Sequence, residues 1–267
     1  MSLTNSDMLD GGRRLPLVED FYTIQGEGYH TGKPAYFIRL GGCDVGCRWC
    51  DAKYTWNPKV FPPVDVDTVV ARAKECAAQA IVITGGEPLM RADLEKCGRA
   101  IYDRGFPWGM VTNGLAMTRR RFDSLLAAGL HTATVSLDGL ESDHNFMRGN
   151  PKSFTTATEA IRMMAQTEGF VFDVVTCVNR RNIDHLDDIK NHLLALGCKR
   201  WRLFTVFPAG RAATDPELQL DREQLHKLLQ YIVDTRKEGK IAVQYGCEGF
   251  LGAYEGDVRN HFFSCQA

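Results

Sequence analysis

Three cysteines, spaced four and three residues apart, are the residues of this sequence best suited to hold a metal centre. Cys43, Cys47 and Cys50 follow an apolar stretch and lie in a polar segment that contains Gly46, which disfavours three unrelated core cysteines. An iron–sulfur cube normally has four cysteine ligands, so three would leave one iron of a [4Fe-4S] cluster open to a small molecule. Structural zinc is the alternative, but zinc sites usually combine two ligand pairs, and His30 is the only histidine nearby.

Short apolar stretches and helical periodicity alternate along most of the chain. The apolar stretches predict buried strands over 35–40, 80–84, 108–112, 132–137, 170–177 and 200–206. The helical patterns predict helices over 66–77, 92–104, 119–128, 154–166, 183–196 and 222–237. Such alternation predicts an α/β fold with a parallel sheet and covering helices. Six units are too few for an eight-fold barrel, so the predicted architecture is a partial (β/α)6 barrel.

Glycines and one capping pattern predict several helix ends. Glycine follows four of the predicted helices, as expected of C-terminal caps: Gly105, Gly129, Gly197 and Gly239. Asp221, with Gln224 three residues later, predicts a capped start of the last helix. The predicted divisions of the chain are an N-terminal extension over 1–34, the partial barrel over 35–240 and a C-terminal segment over 241–267.

The composition of the 267 residues excludes several classes of protein. With 44% hydrophobic and 24% charged residues, the chain is not of the disordered type. The net charge of −1 predicts no nucleic-acid partner, and no apolar stretch is long enough to predict a membrane span. The polar start lacks a signal peptide, so nine cysteines predict reduced thiols and a cytoplasmic location. Four are predicted to be buried: Cys76, Cys97, Cys177 and Cys198.

Polar residues follow the predicted strands, where α/β proteins place their ligand sites. They are Thr84, Gly85, Gly86 and Glu87 after the second strand, Asn113 after the third, Ser136 and Asp138 at the fourth, and Asn179 after the fifth. Bare glycine backbone would let a ligand approach closely. The alternative is ordinary turn chemistry, since Asn-Gly and Asp-Gly are common turn dipeptides. Arg148 is a candidate carboxylate clamp, with a solvated loop arginine as the alternative.

The cysteine spacing after the first strand of a partial barrel, followed by Gly-Gly-Glu-Pro after the second, resembles the radical S-adenosylmethionine (SAM) superfamily. The resemblance extends from Ala35 to about Phe207. It implies a [4Fe-4S] cluster whose open iron chelates SAM, and a reductant such as flavodoxin or ferredoxin. It also implies a set of SAM contacts: Gly85, Gly86, Glu87, Asn113, Ser136, Asp138 and Asn179.

The front of the chain, from about Leu15 to Met90, resembles the 7-carboxy-7-deazaguanine synthases. The matching segments are 21–28, 32–35 and 37–39, together with the cysteine loop and Asp51. The resemblance implies a carbon–nitrogen lyase of queuosine biosynthesis that contracts 6-carboxy-5,6,7,8-tetrahydropterin with loss of ammonia. The implied substrate contacts are Ile24, Gln25, Gly26, Glu27, Arg39 and Thr84. The implied catalytic residues are the three cysteines together with Glu27 and Arg39.

One position departs from that family. The synthases place Ser or Thr after the Cys-Asp pair as a magnesium contact, whereas this chain has Ala52, which offers no oxygen. Two alternatives follow for Mg²⁺: either substrate, water and Asp51 hold it as a cofactor, or it is dispensable. A small-molecule pterin, a reductant and a second copy in a homodimer are the partners that the resemblance implies.

The second part of the chain, about 84–267, resembles a different group, the peptide-modifying radical SAM enzymes with a C-terminal auxiliary-cluster domain. The segments that carry this resemblance are 113–114, 136–139, 144–149 and the run 202–211. Cys247 and Cys265 resemble the beginning of that domain without its remaining cysteines. A peptide- or protein-modifying enzyme is thus the second functional hypothesis. A non-catalytic iron–sulfur or zinc protein is the third. The sequence leaves open whether the two parts form one working site.

Overall fold

The computed structural model describes residues 13–25, 30, 32–43, 46–50, 52–208, 210–246 and 251–260. Their strands are β1 Arg14–Ile24, β2 Pro34–Leu40, β3 Pro63–Asp65, β4 Ala80–Gly85, β5 Trp108–Thr112, β6 Leu130–Ser136, β7 Val171–Val178, β8 Arg200–Thr205 and β9 Ala242–Tyr245. Their α-helices are α1 Val66–Glu75, α2 Leu94–Asp103, α3 Arg119–Ala127, α4 Glu141–Arg148, α5 Ser153–Ala165, α6 Leu186–Ala195, α7 Arg222–Glu238 and α8 Glu255–Val258.

The described residues divide into two compact units. The first contains residues 13–24, 33–43 and 52–133, and the second contains the remainder. Strands of the first unit are ordered β3-β1-β2-β4-β5. Strand β1 is antiparallel to both β2 and β3, while β2, β4 and β5 are parallel. The long segments that link these parallel strands contain helices α1 and α2, as parallel pairing requires.

Alternation along the strands of the first unit separates a buried face from a half-buried one. In β2 the side chains of Tyr36, Ile38 and Leu40 are buried, whereas Phe37 and Arg39 are half-buried. Strand β4 repeats this alternation. Because side chains alternate across a pleated strand, the apolar residues bury one face. The polar residues of these strands lie on the other.

In the second unit, β7, β8 and β9 are parallel neighbours in that order. Strand β7 is buried along nearly its whole length, as expected of a parallel strand covered on both faces. The indole N–H of Trp201 in β8 donates to the hydroxyl of Thr176 in β7 at 2.8 Å, which satisfies a buried donor. Strand β6 is divided between the units, with residues 130–133 in the first and 134–136 in the second.

The predicted α/β fold with mostly parallel strands is confirmed. All six predicted strands are present as β2 and β4–β8, and the six predicted helices are present within three residues at each end. The four predicted C-cap glycines have φ between 68° and 91°. Asp221 and Gln224 form both hydrogen bonds of a capping box. The predicted divisions at 34/35 and 240/241 stay predictions.

Five elements were missed by the sequence analysis: β1, β3, β9, α4 and α8. Strand β1 contains Pro16, Glu19 and Asp20, so its alternation is obscured by charge and by a proline. Helix α4 reads Glu-Ser-Asp-His-Asn-Phe-Met-Arg, with two apolar residues in eight, and therefore lacks an apolar stripe. Its end is marked by Gly149, whose φ is 64°.

Three of the four cysteines predicted to be buried are so: Cys97, Cys177 and Cys198. The prediction for Cys76 was wrong, because this residue is half-buried. It follows the last turn of α1, where its thiol donates to the carbonyl of Arg72 at 3.3 Å. Among the described residues, no helix has the length and apolar character needed to cross a membrane.

Candidate cofactor and substrate site

The Gly-Gly-Glu turn after β4 is tied to the chain that leaves β2. The backbone N–H of Gly86 donates to the carbonyl of Leu40 at 2.8 Å, and that of Glu87 donates to the carbonyl of Gly42 at 2.9 Å. A Cβ atom on Gly86 would lie 1.9 Å from the Gly42 oxygen. Gly85 has φ of 105°, a conformation that favours glycine. Both glycines are therefore required for the close approach of these two segments.

The segment that leads to Cys43 is held from a second direction. Gly42 N donates to the carbonyl of Thr55 at 2.7 Å, and Cys43 N donates to that of Trp56 at 3.3 Å. Both acceptors lie in or next to the short 3-10 turn Lys53–Thr55. Cys43 is thus placed by backbone contacts of the first unit.

Glu87 is buried and organises the turn after β5. Its Oε1 accepts hydrogen bonds from the Leu89 backbone N–H at 3.0 Å and the Thr112 hydroxyl at 2.7 Å. Its Oε2 accepts from the Asn113 N–H at 2.7 Å, and the Asn113 side-chain oxygen accepts from Leu115 N at 2.7 Å. The structure therefore brings Glu87 and Asn113 together through contacts within the protein. Their predicted contact with SAM stays a prediction.

Arg39 and Thr84 are neighbours on the half-buried face of the first unit. The register pairs Arg39 of β2 with Thr84 of β4 on one side and with Glu19 of β1 on the other. Arg39 Nε donates to Glu19 Oε1 at 2.5 Å. Two strand positions away on the same face, the rings of Phe21 and Phe37 stack with centroids 5.4 Å apart. An oriented guanidinium therefore lies beside a hydroxyl and an aromatic pair.

Two further predicted substrate residues, Ile24 and Gln25, lie at the end of β1. Ile24 is the last residue of that strand and is 47% exposed. The carbonyl of Gln25 accepts from Gly32 N at 2.8 Å. Gly26 and Glu27 lie outside the described residues, as do Asp51, Cys247 and Cys265.

The cysteine loop continues into the second unit, where one arginine contacts it repeatedly. Arg211 Nη1 donates to the carbonyls of Gly46 and Cys47 at 3.0 and 2.9 Å. Arg211 N donates to the carbonyl of Cys50 at 3.3 Å. Gly46 has φ of 67°, the left-handed conformation that favours glycine.

Asp138 and Arg148 form a buried ion pair beside Cys47. Asp138 is fully buried, and its Oδ2 accepts from Arg148 Nε at 2.7 Å while its Oδ1 accepts from Cys177 N at 3.1 Å. Arg148 Nη1 lies 3.5 Å from Cys47 Sγ, and its guanidinium lies 5.2 Å from the Trp49 ring centroid. Burial raises the pKa of the Cys47 thiol, and the Arg148 cation opposes that rise. The solvated-loop alternative for Arg148 was wrong, because the residue ends α4 and is buried.

His144 is a buried neutral group next to this pair. Its Nδ1 accepts from the Asp138 backbone N–H at 2.9 Å. That contact leaves the proton on Nε2, which donates to Ser153 Oγ at 3.1 Å. Burial, together with the Arg148 cation and against the opposing effect of Asp138, lowers the pKa of His144 to about 4.

We expect His144 to make folding stability depend on pH between about 6.5 and about 4. The unfolded state binds a proton in this range and the folded state does not, so stability falls as the pH is lowered. The full effect is about 3 kcal/mol. Urea unfolding of wild type and His144→Asn at pH 7 and pH 5 measures it. The difference in unfolding free energy between the two pH values is expected to shrink in the variant, and equal differences would contradict the assignment.

Asn179 lies in a hydrogen-bonded turn after β7, whereas Ser136 lies at the end of β6. Asn179 is fully buried, and its side-chain amide donates to the carbonyl of Cys177 at 3.1 Å while its oxygen accepts from Arg181 N at 2.9 Å. Asn182 joins this turn to Asp138, because its amide donates to the carbonyls of Asp138 and Cys177. Ser136 is buried at the end of β6. Asn179 and Asp138 thus share one hydrogen-bonded turn network, and their predicted SAM contacts stay predictions.

The family profile of the radical SAM superfamily matches residues 37–193. The chain belongs to the radical SAM superfamily. The match includes all three cysteines of the loop, the Gly-Gly-Glu turn and the buried Asp138–Arg148 pair. Membership in this superfamily implies a [4Fe-4S] cluster and SAM as cofactors and makes the protein a radical SAM enzyme.

Two curated relatives illustrate what this radical SAM chain is similar to. A 7-carboxy-7-deazaguanine synthase of Flavobacterium psychrophilum is 60% identical over 81 residues, which are 30% of this chain and 38% of the relative. An AdoMet-dependent heme synthase of Oleidesulfovibrio alaskensis is 28% identical over 211 residues, 77% of this chain and 53% of the relative. The chain therefore spans about half, or less, of the length of these relatives.

Two solved structures share the fold. QueE from Escherichia coli matches with a TM-score of 0.57 and 24% identity, covering 92% of this chain and all of that one. Streptococcus suis SuiB bound to the precursor peptide SuiA matches with a TM-score of 0.63 and 16% identity, covering 77% of this chain and 47% of that one. At these identities the similarity concerns the fold, and it confirms the predicted radical SAM architecture.

The cysteine loop has a donor set that fits the iron–sulfur cluster of the superfamily. Cys47 and Cys50 share one short loop, and the Arg148 cation beside Cys47 would favour the thiolate form that a metal ligand needs. In the part of the chain that the structure describes, no three His, Cys, Asp or Glu side chains are gathered as a metal site. Ligation by Cys43, Cys47 and Cys50 therefore stays a prediction.

Sequence reasoning missed the residues that hold the predicted ones in place. Glu19 accepts the hydrogen bond from Arg39 Nε, and Arg211 donates hydrogen bonds to carbonyls of the cysteine loop. Arg211 lies in the run 202–211, which the resemblance had singled out without giving it a role. Glu19 precedes the matched segment by two residues, and only the β1–β2 register could have connected it with Arg39.

Proposed function

We propose that this radical SAM enzyme is a carbon–nitrogen lyase that contracts 6-carboxy-5,6,7,8-tetrahydropterin to 7-carboxy-7-deazaguanine with loss of ammonia. The observation that carries the proposal is the placement of Arg39 beside Thr84 on the half-buried face of the first unit. A guanidinium binds a carboxylate through two parallel hydrogen bonds. The 60% identity with a 7-carboxy-7-deazaguanine synthase over 81 residues supports the same substrate.

Glu19 gives Arg39 a defined orientation for this task. The carboxylate occupies the Nε edge of the guanidinium at 2.5 Å, so the Nη edge is the one that would meet the substrate carboxylate. Arg39 is 26% and Glu19 49% exposed, which keeps the pair within reach of a ligand. The stacked rings of Phe21 and Phe37 supply an apolar surface that suits a flat bicyclic substrate.

The other substrate contacts follow from the resemblance of the front segment. Ile24, Gln25 and Gly26 would frame the pterin, and Glu27 would accept from the paired donors on its edge. Thr84 would add a hydroxyl next to the substrate carboxylate. When bound, the [4Fe-4S] cluster and SAM supply the radical chemistry. The residues of this chain orient the pterin for it and bind its polar edge.

SAM binding is proposed for seven residues: Gly85, Gly86, Glu87, Asn113, Ser136, Asp138 and Asn179. In the first unit the bare backbone of the Gly-Gly turn supports this role, since a side chain on Gly86 has no room. Mg²⁺ is proposed with substrate and water as its ligands, because Ala52 offers no oxygen. Flavodoxin or ferredoxin is the proposed electron donor, a homodimer the proposed assembly and the cytoplasm the proposed location.

Replacing Arg39 by alanine is expected to lower pterin turnover on the order of tenfold to a hundredfold, because a charge-assisted contact contributes about 1.5–3 kcal/mol. SAM cleavage without substrate should change little, since the Arg39 guanidinium pairs with Glu19 of β1. Mass spectrometry of the deazaguanine product and of 5′-deoxyadenosine measures both reactions after anaerobic reconstitution.

Arg72→Ala is the matched control for Arg39→Ala. Arg72 also pairs with a carboxylate of β1, Asp20, at 3.0 Å, but Asp20 lies on the opposite face from Glu19 because adjacent residues of a strand alternate. Turnover should stay near wild type in this variant. Equal losses in the two variants would assign Arg39 to the stability of β1 rather than to the substrate.

Peptide or protein modification is the second candidate function, and the fold shared with SuiB favours it. The same reconstituted enzyme decides between the two. Conversion of the carboxylated pterin supports the lyase. SAM cleavage with neither binding nor conversion of the pterin would instead support an enzyme whose substrate is recognised by the second part of the chain.

A further inference from the structure

One residue of the second part of the chain contacts the cysteine loop at three carbonyls. The Arg211 side chain binds the oxygens of Gly46 and Cys47, and its backbone N–H binds the oxygen of Cys50. The three contacts span the segment between the last two cysteines of the motif. Arg148, in contrast, contacts the sulfur of Cys47.

Two further hydrogen bonds, both from Arg48, hold the same loop. Arg48 N donates to the carbonyl of Met147 at 3.2 Å, and Arg48 Nε donates to Asp215 Oδ2 at 2.9 Å. Asp215 lies four residues after Arg211, next to the 3-10 turn Gly210–Thr214. The loop is thus attached both to the segment that follows β8 and to the end of α4.

The chemistry of a cysteine ligand set explains why such attachment matters. A tight loop whose carbonyls lack partners can adopt many conformations, and each ordered residue costs conformational entropy. Hydrogen bonds from a neighbouring residue reduce this entropic cost before the metal binds. Residues that orient the protein ligands of a metal usually act in this way. Cys47 and Cys50 lie at the two ends of the part that Arg211 binds.

We propose that Arg211 is a positioning residue that sets the geometry of the Cys47–Cys50 loop and thereby controls how firmly the chain retains its iron–sulfur cluster. The proposal rests on the assignment of Cys47 and Cys50 as cluster ligands. It does not depend on the identity of the substrate. It also gives the second part of the chain a direct part in the radical SAM site, whichever substrate is used.

The test compares Arg211→Ala, Arg211→Lys and a matched control, Arg180→Ala. Arg180 is also exposed and also donates to a backbone carbonyl of the second unit, that of Gln219 at 2.7 Å, but it does not contact the loop. Each metal-free protein is analysed by hydrogen exchange of the peptide that contains residues 46–50. After identical anaerobic reconstitution with iron and sulfide, the rate of iron loss to a chelator is measured for each.

We expect Arg211→Ala to exchange the loop amides faster and to lose iron on the order of tenfold faster than wild type, since two side-chain hydrogen bonds disappear. Arg211→Lys should be intermediate, because an ammonium keeps a donor at this position. Arg180→Ala should behave as wild type. The melting temperature of each metal-free variant shows whether the whole unit, rather than the loop, has been destabilised.

Three results would overturn the proposal. They are an unchanged loop exchange in Arg211→Ala, iron loss at the wild-type rate, or loss of iron that merely follows a fall in melting temperature shared with Arg180→Ala. Iron retained by wild type and by Arg211→Ala alike would leave the cluster assignment standing. Wild type that takes up no iron would overturn the cluster assignment, whereas failure to convert the pterin would bear only on the lyase proposal.

Discussion

Replacing Cys47 by alanine is expected to abolish both cluster binding and SAM cleavage. Two remaining cysteines cannot retain a [4Fe-4S] cluster that already has fewer than the usual four protein ligands. The Cys47 sulfur also accepts a hydrogen bond from the buried Arg148 at 3.5 Å. The variant therefore removes both a predicted cluster ligand and the hydrogen-bond acceptor of Arg148. Iron and sulfide per chain, visible absorbance and 5′-deoxyadenosine formation after anaerobic reconstitution measure the loss.

Cys76→Ala provides the control for this experiment. Cys76 is also a half-buried thiol, but its hydrogen bond goes to the carbonyl of Arg72 in its own helix end. This variant should keep full iron content and full SAM cleavage. Cys43→Ala and Cys50→Ala should behave as Cys47→Ala does. A single alanine variant of the three that kept full iron and cleavage would refute the three-cysteine assignment.

The parts of the fold that the sequence predicted well are those in which one pattern dominates. Strand β5 was predicted with its observed bounds, 108–112, because the apolar run stops at Asn113-Gly114. The last helix was found because Asp221 and Gln224 mark its start and Gly239 marks its end. Such local signals act within a few residues of each other and need no tertiary information.

The parts that were missed depend on contacts between distant segments. The sequence left Arg148 open between a carboxylate clamp and a loop arginine, and only the structure shows Asp138, ten residues earlier, at 2.7 Å from it in the interior. Arg211 lies 164 residues after Cys47 in the chain and yet donates to its carbonyl. A motif shows which residues could bind a ligand, whereas the residues that orient them are fixed by the packing of the whole unit.

The predicted ligand residues differ in how much of their hydrogen-bonding capacity the protein itself uses. Arg39 lies on a half-buried face with one edge engaged, as a substrate-binding arginine requires. Asp138 and Asn179, in contrast, are fully buried. Both carboxylate oxygens of Asp138, and both the oxygen and the nitrogen of the Asn179 amide, form hydrogen bonds within the protein. Sequence position at a strand end suggests the same role for all three. Burial therefore gives Asp138 and Asn179 a structural role in the turn, in addition to the SAM contact proposed for them.

Asp138→Asn is the variant that tests this distinction, and its expected effect is large. The substitution keeps the size of the side chain but removes the charge that pairs with buried Arg148. Breaking a buried ion pair by removing one partner typically costs about 3–5 kcal/mol. We therefore expect the free energy of unfolding of the metal-free protein to fall by about that amount, even without SAM. Urea denaturation followed by circular dichroism measures it.

Asp184→Asn is the matched control, because Asp184 pairs with Lys227 on the surface and exposed pairs contribute little. Stability should remain close to wild type in that variant. If Asp138→Asn instead left the metal-free protein as stable as wild type and weakened only SAM binding, Asp138 would be a ligand contact, as its position after β6 first suggested. A loss of stability without SAM would assign it to Arg148, whose guanidinium contacts both Asp138 and the Cys47 sulfur.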